Sequence, residues 1–273
     1  MSDVFPSPET GRVLVFDSGV GGLTVADEIA RLAPGLTIDY AADTGFFPYG
    51  DKSDEDLRAR VPAAAKALCA VAQPDVFVIA CNTASTLALA ETRAALGIPV
   101  VGTVPAIKPA AANSQTGVIG LLATPGTLAR DYTARLVAEF ASETRIIPYG
   151  SVDLVRLAED VAAGAEPDLD RIGTIQSVLF DAPGGDRIDT IVLACTHFPL
   201  VRDALGKTAP RTVTYIDSGA AIARQTLRVL NQHSANTAAA SSYATSAEPS
   251  DAVLSKAVRL RGYSPPRRVD VSG

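Results

Sequence analysis

Two stretches of this chain say the same thing. Val76-Phe77-Val78-Ile79-Ala80-Cys81 and Thr190-Ile191-Val192-Leu193-Ala194-Cys195 each run through β-branched and large apolar residues into Ala-Cys. Small polar residues follow both, Asn82-Thr83-Ala84-Ser85 in the first case and Thr196-His197 in the second. A short apolar run that ends in N-cap residue types reads as a buried parallel strand feeding a helix. Each cysteine then lies in the loop beyond the strand's carboxyl end, the edge at which open α/β sheets bind ligands. Both sites should also border the free N–H groups of a helix start, which favour a thiolate.

The pattern recurs on a larger scale. Val13-Leu14-Val15-Phe16 runs into Asp17-Ser18-Gly19-Val20-Gly21-Gly22 and then a helical period of apolar residues; Gly117 to Ala123 runs into Thr124-Pro125-Gly126-Thr127 and another such period. Asp17 to Cys81 spans 64 residues, and Thr124 to Cys195 spans 71. The chain therefore reads as two related α/β units, each with a polar turn and a cysteine turn. The first comprises 11–105 with 217–262 and the second 106–216, with flexible ends at 1–10 and 263–273. Helices are expected at 54–72, 84–96, 153–163, 168–180, 220–230 and 251–261, and a loose connection at 231–250. Cys69, among alanines on the 54–72 helix, reads as a structural thiol. The loop Asp43 to Gly50 carries Phe46, Phe47, Pro48 and Tyr49; it either covers something or is pinned to the core by its rings.

Several functional classes fall away. The glycine turn at 19–24 has Thr24 where a dinucleotide fingerprint needs its third glycine, and no Gly-Lys-Ser/Thr follows, so neither nucleotide motif is met. With 273 residues, 47% of them hydrophobic, a formal charge of −6 and no basic run longer than Arg267-Arg268, nothing marks a nucleic-acid or membrane partner. The N-terminus lacks a signal-peptide pattern, which makes a cytoplasmic location the expectation. Three cysteines do not form a disulfide framework, and two histidines without a C-x-x-C leave no metal expected. The five lysines avoid the matched turns, which argues against a lysine-bound cofactor.

Two thiols flanking one carbon suit stereoinversion at a weakly acidic C–H. One thiolate removes the proton, the opposite thiol supplies another, and the roles reverse for the other enantiomer. His197 is placed to assist Cys195. Asp17 could orient or deprotonate Cys81, or touch a substrate ammonium.

The stretches Val15-Phe16-Asp17-Ser18-Gly19-Val20-Gly21-Gly22, Pro48-Tyr49-Gly50, Ala80-Cys81-Asn82-Thr83-Ala84-Ser85, Ala123-Thr124-Pro125-Gly126-Thr127 and Ala194-Cys195-Thr196-His197-Phe198-Pro199-Leu200 occur in this order. Over about residues 12–262 the chain resembles the glutamate racemases, cofactor-independent members of the aspartate/glutamate racemase superfamily. The resemblance implies two pseudo-symmetric three-layer α/β domains with parallel-rich sheets, the active site at their interface, no cofactor or metal, and a homodimer. It implies Cys81 as the base toward D-glutamate and Cys195 toward L-glutamate, with Asp17 and His197 assisting. Ser18, Tyr49, Gly50, Asn82, Thr83, Thr124, Thr127, Glu159 and Thr196, together with Asp17 and His197, would line the substrate site. The product D-glutamate would supply peptidoglycan synthesis. The chain departs from the family pattern at Ser151-Val152, where many relatives carry Cys-Pro, and at Phe46-Phe47, where Ala-Arg is commoner. The alternatives are a racemase of another amino acid in the superfamily, or a ligand-binding or regulatory paralogue, for example one acting on DNA gyrase.

Overall fold

The computed structural model describes residues 10–230, 239–245 and 251–271. The chain divides into two compact units, Met1–Thr103 with Gly219–Gly273, and Val104–Ser218. In chain order, the first unit begins with β1 (Arg12–Asp17), α1 (Leu23–Leu32), β2 (Thr37–Ala42), α2 (Asp54–Ala72), β3 (Val76–Ile79), α3 (Asn82–Ala95) and β4 (Val100–Gly102). The second unit contributes α4 (Ile107–Asn113), β5 (Val118–Ala123), α5 (Pro125–Leu128), α6 (Asp131–Phe140), β6 (Arg145–Gly150), α7 (Asp153–Ala162), α8 (Leu169–Asp181), β7 (Thr190–Leu193), α9 (Arg202–Thr208) and β8 (Thr214–Ile216). The chain then returns to the first unit with α10 (Gly219–Leu230), β9 (Ser242–Ala244), α11 (Asp251–Arg259) and β10 (Arg267–Arg268).

Both sheets are parallel throughout their described pairings. The first runs β10-β9-β2-β1-β3-β4 and the second β6-β5-β7-β8. Within them β2-β1-β3-β4 and β6-β5-β7-β8 have the same order, which is the internal repeat expressed as topology. The central strands β1 and β3 are buried along their whole length, as a sheet covered on both faces requires. Leu14, Phe16, Phe77 and Ile79 share one cluster with Leu57, Val61, Ala64 and Leu68 of α2 and Ala84 and Leu87 of α3. Because successive side chains alternate, Val13, Val15, Val76 and Val78 point to the opposite face, where α1 and α10 pack. In the second unit Ile119, Leu121 and Val192 meet Ala106 and Ala110 of the α4 segment. On the other face an added Cβ at Gly120 would lie 3.2 Å from Leu179 of α8.

Capping explains several boundaries. Ser53 accepts from the Asp56 amide at the start of α2, and Asp168 from the Arg171 amide at the start of α8, two orphan donors satisfied by the residue types that favour that role. Pro62 sits inside α2 without ending it.

The C-terminal region differs from the sequence expectation. The loose connection expected at 231–250 contains β9, which pairs with β2 through Tyr40↔Ser242, Ala41↔Tyr243 and Ala42↔Ala244. The flexible end expected from 263 contains β10, which pairs with β9 and extends the sheet, while Val269 is buried at its edge. Apolar side chains at Tyr243 and Val269, joining the cluster of α2 and β1, order a stretch whose composition alone reads as loose. The expected loose arm at 1–10, the rest of 231–250 and the last two residues lie outside the described residues, apart from Thr10.

Candidate active site

In the first unit, neighbouring strand ends assemble the cluster. The Ala80 amide donates to the Phe16 carbonyl, 2.8 Å, and so carries the β1–β3 pairing one step past β3 and brings Asp17 and Cys81 to the same carboxyl edge of the sheet. Asp17 is fully buried. Its Oδ1 accepts from the Ser18 amide at 2.6 Å and the Ser18 hydroxyl at 3.3 Å, and its Oδ2 from the Gly22 amide. These donors, two of them backbone N–H groups and one of those the N-cap amide of α1, fix the carboxylate and favour its negative charge. Glycine is needed at 22 because a Cβ there would come within 2.9 Å of the Asp17 Cβ and 3.1 Å of the Ala80 Cβ.

Cys81 is the N-cap residue of α3, with extended backbone, and its carbonyl accepts the first helical bond from Ser85. Its thiol therefore sits where the helix-start N–H groups favour a thiolate. It is 7% exposed, buried but not sealed. Asn82 and Thr83 follow in the first turn, 4% and 5% exposed. The Asn82 Oδ1 is buried without a hydrogen-bond partner among the described residues. A buried orphan acceptor costs about 1–3 kcal/mol, and a ligand donor would recover that. Tyr49 is 1% exposed and donates to Asp43 at 2.5 Å, while Gly50 is half-buried beside it. Burial, with the nearby Asp43 and Cys81 charges, raises the Tyr49 pKa well above the usual phenol value, so its hydroxyl stays protonated and acts as a donor.

The second unit repeats the backbone arrangement. The Ala194 amide donates to the Leu122 carbonyl at 2.8 Å, as Ala80 does to Phe16, and the Ser151 amide to the Ala123 carbonyl at 2.9 Å, as Asp43 does to Asp17. Cys81 and Cys195 are thereby equivalent, each following an alanine with this bond. The same bonds correct the sequence alignment of the turns by one residue: the counterpart of Asp17 is Ala123, and that of Thr124 is Ser18. The second unit has no carboxylate at the strand end itself.

Its carboxylate arrives from α7. His197 Nδ1 lies 3.7 Å from the Cys195 Sγ, and its Nε2 lies 3.1 Å from Glu159 Oε1. His197 is 4% exposed and Cys195 8%. A carboxylate on Nε2 selects the tautomer with the proton there, which leaves Nδ1 as an acceptor toward the thiol. Sequence reasoning placed Glu159 on the substrate, whereas the structure places it on His197. The expected helix start after Cys195 is also modified. A single 3-10 turn, Phe198–Val201, intervenes before α9, and His197 rather than Cys195 is its cap residue. Imidazole and carboxylate therefore support Cys195, where helix-start amides support Cys81.

Thr124 and Thr127 pair with each other, hydroxyl to hydroxyl at 3.0 Å, and Thr124 Oγ1 accepts from the Thr127 amide as the cap of α5. Both are thus held at the strand end by local bonds. Thr196, 8% exposed, lies between Cys195 and His197. Sequence reasoning missed the acid behind Tyr49, Asp43, and its cation Arg60, which donates to it from Nε at 3.0 Å and Nη2 at 2.8 Å. Its position directly after β2, at the same sheet edge as Asp17, was the available signal.

Cys69 is separate from both clusters. Burial pushes its thiol up to about 12, so it stays protonated and unreactive near neutrality. Limited alkylation of the native protein at pH 8, followed by peptide mass spectrometry, should label Cys81 and Cys195 well before Cys69. Equal or faster labelling of Cys69 would contradict this. Among the described residues no group of three or more His, Cys, Asp and Glu side chains is arranged to hold a metal, and no helix is long and apolar enough to cross a membrane.

Residues 19–226 match the family described as Asp/Glu/Hydantoin racemase. The glutamate racemase of Sphingopyxis alaskensis is 48% identical over 220 residues, 81% of this chain and 82% of that one. The chain belongs to the Asp/Glu/hydantoin racemase family, among its glutamate racemases. The Salmonella typhimurium glutamate racemase is likewise 48% identical over 225 residues, 82% of this chain and 79% of that one. Of solved family members, Escherichia coli glutamate racemase in complex with L-glutamate and the activator UDP-MurNAc-Ala superposes with a TM-score of 0.92 at 40% identity, covering 97% of this chain and 100% of that one. The two-sheet α/β fold is therefore the family's fold.

Proposed function

We propose that the protein interconverts L- and D-glutamate by two-base proton transfer, with Cys81 and Cys195 acting on opposite faces of the α-carbon. The observation that supports this reading most strongly is the equivalence of the two cysteines: the same backbone hydrogen bond precedes each, Cys81 caps a helix start, and Cys195 stands beside an imidazole suited to take its proton. In the direction from D-glutamate, the Cys81 thiolate takes the α-proton and the electron pair passes into the α-carboxylate. The Cys195 thiol then delivers its proton to the other face, leaving a thiolate beside His197 in its protonated form, whose Nδ1–H balances the charge, the reverse of the step from L-glutamate. From L-glutamate the roles reverse: His197 Nδ1 accepts the Cys195 proton, Glu159 stabilises the imidazolium, and the Cys195 thiolate abstracts. Asp17 orients Cys81 or meets the substrate ammonium. Ser18, Thr83, Thr124, Thr127 and Thr196 supply hydroxyls, and Asn82 and the backbone of Tyr49-Gly50 amides, for the two carboxylates; the Tyr49 hydroxyl itself is engaged by Asp43, and the orphan Asn82 Oδ1 suits the ammonium.

The resemblance of the motifs supports extending the reading to a cytoplasmic homodimer that supplies D-glutamate for peptidoglycan synthesis, with no cofactor. The deciding test is circular dichroism of L-glutamate incubated with the purified protein. Loss of optical activity to a racemic end point, with one solvent deuteron incorporated at Cα in D₂O, is expected. Unchanged ellipticity with glutamate, but loss with another amino acid in a panel of enantiomers, would replace the substrate. Glutamate binding without α-proton exchange would favour the regulatory paralogue.

A further inference from the structure

We propose that Asp43 is a positioning residue whose carboxylate holds the Tyr49–Gly50 loop in register with Cys81, and that the C-terminal segment completes this hold through Thr245. The proposal rests on the reading of Tyr49 and Gly50 as part of a glutamate site. Asp43 lies one residue past β2, is fully buried, and its amide donates to the Asp17 carbonyl at 2.9 Å, so its backbone is tied to the strand that carries the active-site carboxylate. Its side chain accepts from the Tyr49 hydroxyl, from Nε and Nη2 of Arg60, and from the Thr245 hydroxyl. A wholly buried carboxylate persists only with its charge countered and its lone pairs filled, and here one cation and two hydroxyls do both.

The tyrosine it grips has little room for another orientation. The Tyr49 ring sits 6.5 Å from that of Phe16 and meets the Phe46 ring edge-on at 6.3 Å, and Lys52 and Arg60 place their cations 4.9 and 5.6 Å from the Phe46 centroid. This identifies the job of the apolar loop. Phe46 packs against Tyr49 and the Asp43 counter-ion, and so adds a second ring contact that holds the loop beside that of Phe16.

Thr245 is the distant part. It immediately follows β9, its amide donates to the Ala42 carbonyl at 3.2 Å, and its hydroxyl donates to Asp43 while accepting from the Gly45 amide at 3.1 Å. One hydroxyl thus joins the residue that follows β2, the loop and the C-terminal segment. Arg60 adds a second link, from Nη1 to the Val271 carbonyl at 3.5 Å. The strands β9 and β10, which extend the first sheet beyond the four-strand order that the two sheets share among the described residues, are what bring these groups to the loop.

The test compares the full-length parent with Thr245→Val, which keeps the shape and removes donor and acceptor, and Thr245→Ser, which keeps both. Steady-state constants for both enantiomers, thermal melting, and hydrogen–deuterium exchange of peptides spanning 44–52 are measured on all three. The expected result for Thr245→Val is KM raised about 10-fold, as loss of a hydrogen bond to a charged group implies, with kcat within about 3-fold of the parent. Exchange over 44–52 rises, and Thr245→Ser restores both. Unchanged exchange over 44–52 in Thr245→Val overturns the proposal, as does a fall in kcat that tracks melting temperature and is not restored by serine. If the parent does not racemise glutamate, the functional reading fails, and the exchange comparison still decides whether Asp43 and Thr245 hold the loop.

Discussion

Replacing either Cys81 or Cys195 by serine is expected to lower kcat for glutamate racemisation by about 10³-fold or more, within the range that general acid–base groups contribute. Each factor of ten corresponds to about 1.36 kcal/mol of barrier, so the loss amounts to roughly 4 kcal/mol or more. Serine keeps the shape of the strand-end turn, so stability should change little. Its hydroxyl is a far weaker acid than a thiol and cannot provide the anion that abstracts. The two single variants differ in what they retain. Cys81→Ser keeps the base that faces L-glutamate and should still wash out the α-hydrogen of L-glutamate in D₂O without inverting it. Cys195→Ser should do the same with D-glutamate. Proton NMR of each enantiomer with each variant reads all four combinations. Either variant racemising at the parental rate would sink the two-base reading.

His197→Asn should reduce kcat/KM by about 10²-fold, and Glu159→Gln by about 10-fold. The first removes the group 3.7 Å from the Cys195 Sγ; the second leaves an acceptor on Nε2 but removes the charge that steadies an imidazolium. Enantiomers have equal free energy, so kcat/KM must fall equally in the two directions in any variant, which checks the assay internally. The split between kcat and KM need not be equal. Because these residues serve Cys195, kcat should fall more from L-glutamate than from D-glutamate, and initial rates measured from both enantiomers give the comparison. An equal fall in both kcat values, or none, would remove His197 from the Cys195 side of the reaction.

The positions that carry this chemistry were readable because their signals are local. A β-branched run followed by Ala-Cys and small polar residues locates a strand end within a few residues, and Asp17, Cys81 and Cys195 all stand at such ends. The helix expected at 54–72 coincides with α2 for the same reason: Ser53 caps it and its apolar spacing is regular. Partnerships between distant elements have no such signature. Glu159 lies 38 residues from His197, and nothing around it distinguishes a carboxylate aimed at an imidazole from one aimed at substrate. The one-residue offset between the polar turns, likewise, is set by which carbonyl each strand-end amide reaches, and counting residues between motifs cannot see that.

The C-terminal segment shows the division most clearly. By itself the sequence determined two parallel α/β units and a thiol at a matched strand end of each, because periodicity and capping act over a few residues. Only the tertiary structure decided that Thr245 meets Asp43 across 202 residues, that β10 extends the first sheet, and that Tyr49 is held by a buried carboxylate and arginine. Those contacts exist because burial brings chain-distant polar groups together and then requires that each find a partner. Which partner it finds is a property of the packed molecule.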